Sequence, residues 1–330
     1  MKYCFIFIFL ILVFGACKKD KTVPVIPTPD TPIPEEPTEQ EDTFVVITYS
    51  VDDLEMATYF EHSGLLGGVI QSPTLVEASG LAVSRQNPSI LYSHNDSGHP
   101  NWLYALGING ENYGHFILEG AGSRDYEDIC VGPGPVDGVN YVYLGDIGDN
   151  HAQFNFIVIY RFPEPDLSQL TADGTYIIPE NQIERIELTY PDGARDAETL
   201  MIDPWTKDLY IVTKRDEFST VYRSKFPQQP GFRKELEKLA QLPFNWALGG
   251  DISLDGEMIG IKDDTRIFYW ERNLGESVVT ALSRKPKTLP YIVEPQGESF
   301  AWSPNGNRYF TLSEKTGVNP PPLYGYQRID

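Results

Sequence analysis

Apolar and polar residues alternate along this chain in a short pattern that is copied five times. Each copy opens on a small polar knot carrying an acid, runs into an apolar strand, turns tightly, and returns through a second strand ending in polar or charged residues. The first strands read EASGLAV (Glu77 to Val83), RDYEDICV (Arg124 to Val131), RDAETLMI (Arg195 to Ile202), LGGDISL (Leu248 to Leu254) and QGESFAW (Gln296 to Trp302). Their partners begin at Ile90, Tyr141, Asp208, Glu257 and Arg308. Turns such as SRQNPS from Ser84 and SPNGN from Ser303 supply the Gly, Pro, Asn and Asp that tight hairpins require.

A third strand starts at Trp102, Phe156, Thr220, Arg266 and Leu323, and a weaker fourth at His115, Arg185, Leu236 and Val278. Four antiparallel strands per copy is the unit of a β-propeller blade, and fixed-order copies mark a repeat architecture. The fifth copy reaches the end of the sequence without a fourth strand. GLLGGVIQ at Gly64 to Gln71 precedes the first copy as the other fourth strands precede theirs, so it is expected to close the ring and remove an open edge.

The equivalent apolar positions Leu81, Ile129, Leu200, Ile252 and Phe300 are spaced 48, 71, 52 and 48 residues apart. The long interval holds an insertion near Pro163 to Gln182. The expected fold is therefore all-β, a propeller of five four-stranded blades over residues 64–330, with six blades as the alternative if Thr175 to Leu188 belongs to a degenerate blade. Residues 44–63 read as an extension, an extra strand and short helix packed outside.

The N-terminus changes the setting. Lys2 precedes the apolar run FIFIFLILVFGA, too short to span a bilayer and shaped like a secretory signal over residues 1–16. Phe14, Gly15, Ala16 and Cys17 resemble the bacterial lipobox, which implies lipidation of Cys17 and stable membrane attachment through more than one acyl chain. Residues 17–43 are rich in Pro, Thr and acids, a composition that stays extended and reads as a tether. The expected location is the bacterial cell envelope, lipid-anchored outside the cytoplasm and at the outer membrane.

Of three cysteines, Cys4 would leave with the signal and Cys17 would be lipidated, so Cys130 is expected as a buried small hydrophobe without a disulfide. A net charge of −21 excludes a nucleic-acid partner, which needs a basic stripe. It suits a cation, or a ligand that donates hydrogen bonds to carboxylates. The chain is expected to be a monomer.

In a propeller the innermost strands surround a central channel, so the residues opening them converge on its mouth. Glu127, Glu198 and Glu298 each stand two residues before the reference apolar position; Asp251 stands one before, and Glu77, Asp125 and Asp196 stand four before. Clustered carboxylates share protons at raised pKa or bind a cation such as calcium, with Glu127, Glu198 and Glu298 as the candidate metal ligands. The short aspartates equally suit backbone hydrogen bonds in the knots.

The ends of the second strands add a mixed-charge rim: His94, Asn95 and Asp96; Asp146, Asp149 and Asn150; Lys214 and Arg215; Lys262, Asp263 and Asp264; Glu314 and Lys315. Trp205, Trp246, Trp302 and Tyr126 read as packing between blades. There is no GxSxG elbow, phosphate loop or HExxH motif.

The runs EASGLAVSRQNPSILYSHNDSG, RDYEDICVGPG, GDIGDN, YPDGARDAETLMIDP, GGDIS and QGESFAWSPNGN together resemble a family of secreted bacterial propeller proteins of unestablished activity. The resemblance implies a fold and an exported location, and no catalytic residues. More distantly the chain is similar to phytase-like and lactonase-like propellers, in which acidic residues around the channel hold a divalent ion.

Three functions are thus expected to compete: a module binding a cation or small polar ligand at the channel mouth, a metal-dependent or two-carboxylate hydrolase with Glu127, Glu198 and Glu298 as ligands or acid/base groups, and a protein-interaction scaffold.

Overall fold

Residues 43–329 are described by a computed structural model; Cys17, the leader and the tether lie outside the described residues. Among the described residues no helix is long and apolar enough to cross a membrane.

A short β1 (Val45–Val46) and β2 (Leu65–Val69) precede the first full blade, which is built from β3 (Ala78–Val83), β4 (Ile90–Asn95), β5 (Trp102–Gly107) and β6 (Asn112–Leu118). The second contains β7 (Tyr126–Pro133), β8 (Asn140–Asp146) and β9 (Ile157–Pro163), then the insertion with β10 (Thr175–Ile178), then β11 (Glu184–Thr189). The third has β12 (Ala197–Ile202), β13 (Leu209–Thr213), β14 (Thr220–Ser224), an excursion β15 (Arg233–Glu235), and β16 (Glu237–Gln241). The fourth has β17 (Gly249–Ile252), β18 (Met258–Lys262), β19 (Ile267–Glu271), a helical turn α1 (Val278–Leu282) and β20 (Lys287–Leu289); the fifth has β21 (Gly297–Trp302), β22 (Arg308–Ser313) and β23 (Pro322–Gln327).

These form five sheets, one per blade, each meandering outward from its first strand. The first strands pack in sequence around the channel, β3 on β7, β7 on β12, β12 on β17, β17 on β21, and β21 back on β3. This is a five-bladed β-propeller. The innermost strands are buried almost along their whole length, which is why they read as near-continuous apolar runs. The ring closes where β2 pairs antiparallel with β23, Val69 opposite Pro322, so the last blade takes its outer strand from the other end of the domain.

The long interval holds no sixth blade. Thr175 to Ile178 pairs parallel with β6 as a fifth strand of the first blade, while Glu184 to Thr189 is the fourth strand of the second. In the same way β15 lies on β11, and β1 on β16. Each covers an outer edge that would otherwise present unpaired backbone.

Two local expectations fail. Val278 to Arg284 is not the fourth strand of its blade: Ser277 caps the helical turn by accepting from Thr280 N, and Val278, Ala281 and Leu282 share one buried face on Phe268 and Trp270. Pro286 follows, and the strand forms beyond it at Lys287–Leu289. The extension also lacks a helix. It supplies β1 and then bonds as backbone to the fourth blade, Ala57 N to Thr288 O at 2.8 Å and Thr288 N to Glu55 O at 2.8 Å.

The core lies between blades, in aromatic and aliphatic stacks. In the last of these Tyr309 and Tyr326 stack at 4.6 Å, and Phe60 from the extension packs on Tyr309 and Trp302 at 5.2 and 5.9 Å. Burial of a phenylalanine contributes roughly 1.5–3 kcal/mol, enough to fix the extension on the ring.

Candidate functional site

Sequence position alone does not aim the three glutamates inward; a backbone irregularity does. Pairing of β7 with β8 skips between Tyr126 and Asp128, of β12 with β13 between Ala197 and Thr199, and of β21 with β22 between Gly297 and Ser299. Glu127, Glu198 and Glu298 are the extra residues of these three bulges. A bulge leaves one residue unpaired and re-aims its side chain, a use common beside functional sites.

The first blade bulges between Ala78 and Leu81, where Ser79 holds the matching place. The fourth blade pairs without a shift, and its matching residue is Gly250. Three glutamates, one serine and one glycine therefore occupy the five equivalent positions at the mouth.

The glutamates converge. One carboxylate oxygen from each of Glu127, Glu198 and Glu298 lies within 4.8 Å of the others, and a second group, Asp96, Asp125 and Glu127, meets the same limit. Glu127 belongs to both. Ser79 Oγ is 3.2 Å from Glu298 Oε2 and 2.9 Å from Glu127 O, tying the serine of the first blade into the ring. Gly148 lets the two carboxylates approach its backbone, since a Cβ there would overlap Glu127 Oε1 and Asp125 Oδ2 and push them aside.

A cavity of about 460 Å³ opens over Asp96, Glu127, Glu198 and Glu298 and is also lined by Lys214, Trp246, Glu294 and Glu314.

Charge in this pocket is unbalanced. Burial, then the charges of Glu198, Asp96, Asp125 and Glu298, hold the Glu127 carboxyl well above the usual range. Glu198 is raised by burial and by Glu298, against the pull of Lys214. Glu298 and Asp96 are raised chiefly by burial. Asp125 is pushed up to about 7 by burial and by Asp96 and Asp196. Glu294 and Glu314 are also pushed to about 7, first by burial.

Against these stands Lys214, hydrogen-bonded to Glu198 Oε1 and 3.6 Å from Glu298 Oε1. Burial disfavours its charge, but Glu198 and Glu298 prevail and raise its pKa.

The other predicted residues separate. Asp251, on the regular strand β17, is buried and accepts from Trp302 N of the next blade at 2.9 Å; it does not line the cavity. Asn95 and Asp146 turn back to the knots, Asn95 Oδ1 accepting from Val76 N and Glu77 N, and Asp146 Oδ1 from Asp125 N. Asp149 caps its loop through Gln153 N and Phe154 N. Asp196 accepts from Asp149 N and pairs with Arg215 at 2.7 Å.

Glu77 pairs with His99 at 2.8 Å, outside the ring. His94 is fully buried with Nδ1 on Asn95 O and Nε2 unpartnered, and burial lowers its pKa to about 4, so it stays neutral. Lys262 is buried, donating to Asp263 O and Gly297 O, and burial lowers its pKa to about 8. The short polar residues are thus mostly consumed by backbone, while the glutamates are not.

Two cavity residues escape the repeat reading. Glu294 lies in the linker YIVEPQGE, at no repeated position, and carries no periodic signal. Trp246 lines the cavity instead of packing between blades; it is 37% exposed and holds a left-handed φ of 67°. Trp302, by contrast, packs in the aromatic core as expected.

No family model matches the chain, and no curated protein does. Among solved structures, a chain of the crystal structure of the nidogen/laminin complex is similar at 13% identity, over 72% of this chain and 73% of that one, with a TM-score of 0.41.

Proposed function

We propose that the channel mouth binds a divalent cation, with Glu127 as the shared ligand and Asp96, Asp125, Glu198 and Glu298 around it. The observation that carries this reading is the pair of carboxylate groups that meet in Glu127, with Asp125, Glu127 and Glu198 buried and Lys214 the ammonium set against them. Ionised carboxylates are costly to bury unless paired or coordinated to metal. An all-oxygen donor set of carboxylates suits a hard cation, and calcium, which takes six to eight oxygens in flexible geometry, suits an uneven ring best. The remaining cavity has room for a small polar ligand beside the ion.

In the same reading the propeller is a binding module held at the cell envelope by lipidated Cys17, as the lipobox-like residues imply.

Protons and cation would compete for the same oxygens. Calorimetric titration of the domain with calcium chloride at pH 8 is expected to show binding with proton release, dependent on the ionisation heat of the buffer, and weaker binding at pH 5.5. Absence of heat and of any thermal shift at pH 8 with calcium, magnesium and manganese would sink the proposal.

A further inference from the structure

The glutamate ring already holds a cation, and it belongs to the chain. Lys214 follows the last residue of β13, its N–H fixed on Asp196 O at 3.0 Å, and its ammonium contacts Glu198 Oε1 and approaches Glu298 Oε1. Trp246 holds it from one side: Trp246 N donates to Lys214 O at 3.0 Å, and the ammonium stands 5.1 Å from the ring centroid.

We infer that Lys214 is a tethered competitor at the cation site, and that a divalent ion binds by displacing its ammonium from Glu198 and Glu298. This deepens the cation reading and rests on it.

Two observations besides the acidic cluster point to an occupant of greater charge. Glu198 is 3% exposed, yet its Oε2 has no hydrogen-bond partner even with Lys214 in place. Glu294, 4% exposed and lining the same cavity, has no close hydrogen bond to either carboxylate oxygen, although the Lys262 charge and the Thr311 and Tyr291 hydroxyls lie near enough to favour its ionised form. One ammonium brings a single charge and three donors, and it leaves these acceptors unfilled.

Displacement is feasible because a lysine ammonium rides on a flexible four-carbon stem, and Asp96 and Glu314 lie within its electrostatic reach. The exchange also sets selectivity. A monovalent ion would only replace the ammonium charge for charge, whereas a divalent ion adds one unit of charge to a ring that has excess negative charge. Lys214 thereby biases the site against sodium and potassium without any ligand geometry specific to calcium.

The test compares calcium titrations of the wild-type domain, Lys214→Met and Lys214→Arg. Lys214→Met is expected to bind calcium at least tenfold more tightly, while Lys214→Arg, which keeps the charge, stays near wild type. A wild type that is silent while Lys214→Met binds shows an ammonium that calcium does not displace, and overturns both the inference and the cation reading of the wild-type protein. If wild type binds and Lys214→Met binds equally or more weakly, the competitor role is overturned and the cation site stands; if neither binds, both fail. Should Lys214→Met not fold, NMR of the wild type with isotopically labelled lysine decides: a Lys214 Cε resonance unmoved by saturating calcium in a domain that binds calcium overturns the inference.

Discussion

Replacing Glu127 with Gln should make the cation-free protein more stable while removing its cation binding. Glu127 is 3% exposed, and the oxygens of four other acids lie within 4.8 Å of its own in one group or the other. Two full like charges at 4.8 Å repel by about 3.5 kcal/mol at an effective dielectric constant of 20. The carboxyl avoids that repulsion by keeping a proton, so the energy appears as a raised pKa, from burial first and its neighbours second. With a folded-state pKa above the unfolded value, the group costs nothing below pH about 4 and penalises the fold increasingly as pH rises toward the folded value.

Glutamine is nearly isosteric, cannot ionise, and can donate to a neighbouring carboxylate. Glu127→Gln should therefore stabilise the chelator-treated domain by about 1–3 kcal/mol at pH 8 and by less than about 1 kcal/mol at pH 5, with roughly 2–4 °C in Tm for each kcal/mol. The assay is thermal unfolding by circular dichroism in EDTA and in calcium chloride at both pH values. Wild type should gain stability from calcium at pH 8, and the variant should not. A variant less stable than wild type in EDTA at both pH values would refute the reasoning, because the carboxylate would then be making a favourable interaction that this charge balance does not contain.

Other outcomes follow from the same geometry. Gly148→Ala should displace the Glu127 and Asp125 carboxylates and weaken calcium binding at least tenfold while circular dichroism stays native. Asp251→Asn should leave calcium affinity within a factor of about two by calorimetry, since Asp251 faces the next blade and not the cavity. Asp203→Ala should cost about 3–5 kcal/mol in urea unfolding, because it strands Arg272, which bridges it through two 2.9 Å hydrogen bonds in full burial. Cys17→Ser should move the protein from the membrane to the soluble fraction and abolish labelling by radioactive palmitate; retention of both would end the lipid-anchor reading.

The sequence by itself determined the propeller architecture, five blades as the leading count and the ring closure, while the pairing of Thr175 to Ile178 with β6 removed the sixth-blade alternative. Hairpin turns, alternating apolar runs and equivalent positions are local properties, and five copies of them fix five sheets. GLLGGVIQ could be assigned to the last blade because the fifth copy was one strand short. The sequence also marked Glu127, Glu198 and Glu298 as a set, since equivalent positions of a closed repeat recur around its axis, although the bulges of the folded strands are what turn them toward one another.

Tertiary structure decided which acids stay free. Asp251 and Glu198 differ by one place relative to their reference residues, and that place is a bulge in one strand and regular pairing in the other, a difference in registry between strands that composition does not encode. Asn95, Asp146 and Asp149 have short side chains, and the folded knots offered them backbone N–H groups within reach; the longer glutamates passed these by and extended into the channel. Val278 to Leu282 became helical because its buried face found Phe268 and Trp270, overriding the strand preference of its valines. Glu294 and Trp246 reach the cavity from linkers outside the repeat, so only the closed ring brings them to the mouth, and Lys214 reads as one rim charge among several until the fold places its ammonium against buried Glu198 and half-buried Glu298.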